Sequence, residues 1–93
     1  MVYSISYDLR KSGRDYASLY DAIKTYGMWW HQTCYVWFIV TRDSAVSIRD
    51  NLLRHIDKND KLFIVALRKN WAGAGFTPKE YDWLKSLPDA SWE

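Results

Sequence analysis

Val2-Tyr3-Ser4-Ile5-Ser6-Tyr7-Asp8-Leu9 alternates large apolar with small polar residues. Successive strand side chains point to opposite faces, so Tyr3, Ile5, Tyr7 and Leu9 share one face and Ser4, Ser6 and Asp8 the other. Lys11-Ser12-Gly13 breaks this strand. A helix is expected over residues 15–26, with Tyr16, Leu19, Tyr20, Ile23 and Tyr26 at helical spacing and Gly27 as its stop. Residues 28–40 are extended and rich in β-branched and aromatic side chains. Trp30, Cys34, Val36 and Phe38 fall on one face, and Trp29, Tyr35, Trp37 and Ile39 on the other. The segment is one long strand or two pieces joined at a tight bend near Gln32-Thr33.

Asp43-Ser44 caps a second helix whose inward stripe is Ala45, Ile48, Leu52 and Ile56. After the turn Asp57-Lys58-Asn59-Asp60, the run Leu62-Phe63-Ile64-Val65-Ala66-Leu67 predicts a central strand buried on both faces. Trp71-Ala72-Gly73-Ala74-Gly75-Phe76 reads as a loop and flexible connector. Thr77-Pro78-Lys79-Glu80 is a capping box with Pro at the first helical position, so a short last helix is expected over 79–87. Tyr81, Leu84 and Leu87 form its apolar stripe. The order predicts an α+β, ferredoxin-like βαββαβ sandwich in a single domain with a short C-terminal helix. Residues 1–69 would form the core, and 70–93 a loop and helix docking on the core or on a partner. Two helices cover one sheet face, yet the strands are apolar on both, so a second subunit is expected to cover the other.

The composition agrees. The 93 residues suffice for one small domain, and 48% hydrophobic with 26% charged residues excludes a disordered tail. Six Trp and seven Tyr are more large rings than one small core needs, which again points to a homodimer. No apolar run reaches the roughly 18–20 residues of a membrane span, no signal-peptide pattern opens the chain, and a cytoplasmic location is expected. The single Cys34 excludes an internal disulfide. Residues 1–70 carry eleven Lys/Arg against seven Asp, whereas 71–93 carry two Lys against four acids. A mildly basic body with an acidic tail is compatible with nucleic-acid binding without requiring it.

Asp8 stands at a strand exit, followed by Arg10, Lys11 and Arg14. A carboxylate among cations is a structural ion pair, or a metal ligand beside phosphate-binding residues. Arg42 follows the second extended segment, and Arg68 and Lys69 follow the last strand. With Arg10, Lys11 and Arg14 these could form a phosphate-tracking rim, or a solvated surface. His55 suits the C-terminal end of its helix, and His31 begins a strand beside two Trp. Cys34 reads as a small buried hydrophobe, and Trp29, Trp30, Tyr35 and Trp37 as rings for core or dimer packing, or for stacking on bases.

Four pieces occur in order: Tyr7-Asp8 ending the first strand, Tyr26-Gly27 closing the first helix, Gln32-Thr33-Cys34-Tyr35-Val36, and Ile56-Asp57-Lys58-Asn59-Asp60-Lys61-Leu62 before the last strand. Over residues 1–68 this set resembles the CRISPR-associated Cas-two (Cas2) family, with Cys34 where the family usually has Ser. Virulence-associated protein D, a ribonuclease toxin, is built similarly. The resemblance implies a ferredoxin-like homodimer in antiviral defence, working alone or in a larger complex. It implies that the strand-one carboxylates of two subunits, here Asp8, approach each other and hold Mg²⁺ in nuclease members, and Gln32 matches the motif position that follows. Two classes of function remain open: a metal-dependent phosphodiesterase acting on RNA or DNA, and a non-catalytic dimer binding nucleic acid, nucleotides or a protein partner.

Overall fold

In the computed structural model, which describes residues 1–10 and 15–92, the alternating first segment is strand β1 (Val2–Asp8). The strand break at Lys11-Ser12-Gly13 lies outside the described residues. There follow α1 (Ala17–Lys24), β2 (Met28–Thr33), β3 (Val36–Val40), α2 (Ala45–Leu53), β4 (Lys61–Ala66), α3 (Pro78–Ser86) and a short 3-10 turn, Asp89–Ser91. The strands lie in the order β2-β3-β1-β4 with every neighbouring pair antiparallel, which is the ferredoxin-like α+β arrangement.

Local chemistry sets the helix ends. Gly27 adopts φ +86°, and its N–H donates to the carbonyl of Lys24 at 3.0 Å, closing the last turn of α1 where a side chain would be strained. Ser44 caps α2 by accepting from the Ser47 N–H at 3.1 Å. At α3 the Thr77 hydroxyl accepts from the Glu80 N–H, and the Glu80 carboxylate accepts from the Thr77 N–H at 2.7 Å.

The odd-numbered face of β1 builds the main core. Tyr3, Ile5 and Tyr7 pack with Trp37 and Ile39 of β3, Leu19 and Ile23 of α1, and Ile48 and Leu52 of α2. The extended segment is a hairpin whose turn falls at Cys34-Tyr35, two residues beyond the expected bend at Gln32-Thr33. The apolar alternation runs on through the turn and hides it. Cys34 is therefore exposed, contrary to its reading as a buried hydrophobe.

Strand β4 corrects a second expectation. It is an edge strand paired with β1, and Phe63 is 67% and Val65 38% exposed. A continuous apolar run normally marks a strand covered on both faces. Here the helices cover only Leu62, Ile64 and Ala66.

The second sheet face corrects a third. Val2 and Trp30 form a buried cluster with Leu84, Leu87 and Trp92, flanked by Phe38, Val40, Leu67, Trp71, Phe76 and Trp83. The chain thus covers the β2–β3 half of this face itself, where a second subunit was expected. Trp30 stacks on Phe38 with centroids 4.9 Å apart, and its indole N–H donates to the Glu80 carbonyl at 2.9 Å. An ion pair between Lys69 and Asp89 ties the segment after β4 to the turn after α3. The strip left open holds Ser4, Ser6 and Asp8 of β1 beside Val65, Phe63 and Lys61, their cross-strand partners on β4.

Leu84 is 5% exposed in this second cluster. Leu84→Ala is expected to lower unfolding stability by roughly 2–5 kcal/mol, the usual range for a buried Leu. Urea denaturation checks it, and a midpoint and slope equal to the parent's would mean that α3 does not hold the face.

Candidate functional site

Asp8 ends β1 opposite Lys61 of β4. Its carboxylate accepts from Arg10 Nε at 3.0 Å and Nη2 at 2.8 Å, with the Asp8 and Arg10 side chains 51% and 60% exposed. Of the two readings of Asp8, the ion pair is formed. So exposed a pair adds little stability. The carboxylate and guanidinium are available to solvent on the open strip.

The backbone just beyond Asp8 is held by a residue that the sequence presented in a turn and in the family-like piece before the last strand, with no role assigned. Asp60 accepts from the Arg10 N–H at 2.7 Å, the hydroxyl of buried Tyr16 at 2.8 Å and the Asp57 N–H at 2.8 Å. Arg10 and Tyr16 lie 50 and 44 positions away, so no local pattern could have joined them. Asp60 and Asp8 are therefore different carboxylates in kind: one is enclosed by donors, the other is presented. A cleft of about 630 Å³ runs from Ser6, Asp8 and Phe63 round the free edge of β4 to Arg49 and Leu53 of α2, with Asp60 and Lys61 in its wall.

The described cations among the six singled out in the sequence do not form one rim. Arg10 lies at the Asp8 end of the sheet, with Lys61 and Arg49 near it. Strands β3 and β4 run opposite to β1, so Val40 pairs with Val2 and Ala66 with Tyr3. Arg42 and Arg68, which follow those strands, therefore sit at the other end, about 20 Å away at roughly 3.3 Å of rise per residue. Lys11 and Arg14 lie outside the described residues.

The donor set also bears on Mg²⁺, a hard cation that needs several oxygen ligands in near-octahedral geometry. Among the described residues no group of three or more His, Cys, Asp or Glu could hold a metal. One chain contributes Asp8 alone to the open strip, so the residues of one chain do not fit the ion, and a site there requires Asp8 of a second copy.

The remaining candidates serve the hairpin. His31 stacks on Trp37 with centroids 3.8 Å apart, and its Nε2 lies 3.4 Å from the Cys34 carbonyl. The Trp37 indole N–H donates to the Tyr7 hydroxyl at 3.0 Å. Burial pushes the Tyr7 phenol above its ordinary value of 10.0, with the Trp37 hydrogen bond acting against it. The His55 backbone N–H donates to the Leu52 carbonyl just beyond α2. Trp30 and Trp37 are buried packing rings, whereas Trp29 and Tyr35 are exposed.

A family model, CRISPR associated protein Cas2, matches residues 1–74. No curated protein and no solved structure matches the chain. The match spans the whole ferredoxin-like unit and stops just before α3. The chain belongs to the Cas2 family, and is in that sense CRISPR-associated. Among the described residues no helix is long and apolar enough to cross a membrane.

The contrast between the two carboxylates is measurable. Asp60→Ala strands several donors, one of them on a buried Tyr, and should cost about 2–3 kcal/mol, as for hydrogen bonds to a charged group. Asp8→Ala should stay within about 1 kcal/mol of the parent, as for an exposed ion pair. Chemical denaturation of the two variants side by side checks this, and equal losses would refute the division.

Proposed function

We propose that this member of the Cas2 family acts as a homodimer that binds nucleic acid at the Asp8 end of its sheet and cleaves phosphodiester bonds with Mg²⁺ held between two Asp8 carboxylates. The observation that carries the reading is the position of Asp8 and Arg10: exposed together at the strip of sheet that the described residues leave open, beside Phe63 at 67% exposure. Two copies packed through that strip would bury Phe63 and Val65 and bring the two Asp8 carboxylates near the dyad. Without a cation their like charges would repel. When bound, Mg²⁺ would neutralise charge on the scissile phosphate and lower the pKa of a water.

The chain's own groups supply the rest. Arg10 can exchange its Asp8 partner for a phosphate oxygen, with Lys61 on the next strand as a further cation. Asp60 fixes the Arg10 backbone, so the guanidinium starts from a defined place. The family's setting makes a CRISPR defence complex the natural partner, with the protein in the cytoplasm. A second reading is favoured by the ion pair itself: Asp8 is already matched by Arg10, as in a dimer that binds nucleic acid without cutting it.

Cleavage of end-labelled single-stranded RNA and duplex DNA in Mg²⁺ and in chelator separates the two. The expected result is Mg²⁺-dependent cleavage that Asp8→Ala abolishes while binding persists, because removing Asp8 frees Arg10 for phosphate. The log–log salt slope of binding should fall by about 0.7–0.9 for each phosphate that Arg10→Ala leaves unneutralised. Salt-dependent binding with no cleavage by the parent supports the second reading. Binding untouched by Arg10→Ala overturns both.

A further inference from the structure

The docked C-terminal segment encloses a cavity of about 390 Å³ against the second sheet face, walled by Trp30, Phe38, Trp71, Phe76 and Tyr81, with Arg68 and Asn70 also lining it. This volume lies in the range of small-molecule sites, roughly 300–1,000 Å³. Six aromatic side chains contribute to its walls. Trp71 lies 9° from parallel to Tyr81, with centroids 6.5 Å apart, the loose end of ring pairing. Trp30 is committed to Phe38 and gives its indole N–H to Glu80.

The polar groups are unequally engaged. Lys69 is paired with Asp89, and the Glu80 carboxylate is held by the Thr77 N–H. Arg68 and Asn70 are exposed and have neither ion pair nor hydrogen bond among the described residues. An unneutralised planar cation and a free carboxamide therefore line an aromatic chamber. A guanidinium matches phosphate oxygens bidentately, and a carboxamide both donates and accepts.

We propose that this cavity binds a nucleotide, its base stacked on Trp71 and its phosphate held by Arg68 with help from Asn70. Aliphatic ligands would use the volume but neither the parallel π faces nor the free charge. Aromatic stacking accepts any base, so the class of ligand is set more firmly than the base. Phe76, Tyr81, Leu84 and Trp92 of the lining lie beyond the residues 1–74 that the family model matches, so the match covers only part of the chamber. The chamber runs along β3 from Arg68 to Thr33 and Val36 and shares no lining residue with the Asp8 cleft, so it stands or falls independently of the nuclease reading. The ligand's source is a free nucleotide or the terminal nucleotide of a single strand, and the test separates these.

The full chain is titrated with AMP, adenosine and a single-stranded oligoadenylate, following tryptophan fluorescence. AMP should quench saturably. Arg68→Gln, an exposed change outside the packed clusters, should weaken AMP about tenfold and leave adenosine unchanged. Trp71→Ala, with its fold checked by circular dichroism, should weaken both about tenfold, as expected for loss of base stacking. Oligoadenylate binding through the same two residues and more tightly than AMP identifies the strand end. AMP binding without oligoadenylate binding identifies the free nucleotide. No saturable response to AMP up to about 10 mM, a limit far weaker than ordinary site affinities, overturns the proposal. So does an AMP affinity unaffected by Arg68→Gln.

Discussion

Trp30 lies flat on Phe38 and hands its indole N–H to the carbonyl of Glu80, so its packing and its hydrogen bond together fasten the second face of the sheet to α3. The arrangement answers a problem of area. Two helices can cover one face of a four-stranded sheet, and here they bury Tyr3, Ile5, Trp37 and Ile39. Left bare, Val2, Trp30, Phe38 and Val40 would each expose apolar surface at a cost of about 25 cal/mol per Å². Leu84, Leu87 and Trp92 remove most of it from water. Their reach ends at β1, and from there to the free edge of β4 the face stays open. Where the C-terminal segment stops decides where a second subunit could begin.

The two halves of this sheet face differ for the same reason. Over β1 and β4 none of the described residues forms a buried cluster, and Asp8, Arg10 and Lys61 are presented on a strip whose backbone Asp60 holds. Over β2 and β3 the C-terminal segment returns and makes a chamber of rings lined from Val36 to Arg68. Both halves draw on residues matched by the Cas2 family model, and the chamber adds Phe76, Tyr81, Leu84 and Trp92 from beyond them.

How much of this the sequence disclosed follows the range of each interaction. The alternation of β1, the Ser44 cap and the Thr77–Glu80 box are local patterns, and each became the element it signalled. Strand β4 misled because a run of apolar residues says that a strand is greasy, not which neighbours it has. In the ferredoxin-like order β1 takes the centre, and β4 must take an edge. Cys34 misled because the hairpin turn carries the same alternation as the strands beside it. The Asp60 hub was invisible, since its donors come from chain segments far apart in sequence. The cations separated for a topological reason: residues that follow β3 and β4 emerge where β1 begins, so a shared position after a strand is not a shared place. Asp8 itself was legible from its strand-end position among cations.

The central claim is that the chain covers half of its second sheet face and leaves the β1–β4 half for a second copy. Sedimentation equilibrium of the full chain and of Phe63→Glu at micromolar concentration tests it most directly. The expected result is a dimer for the parent and a folded monomer, by circular dichroism, for the variant, because Glu would place an unpaired charge in the buried strip. A parent that sediments as a monomer, or a variant that remains dimeric, would contradict it.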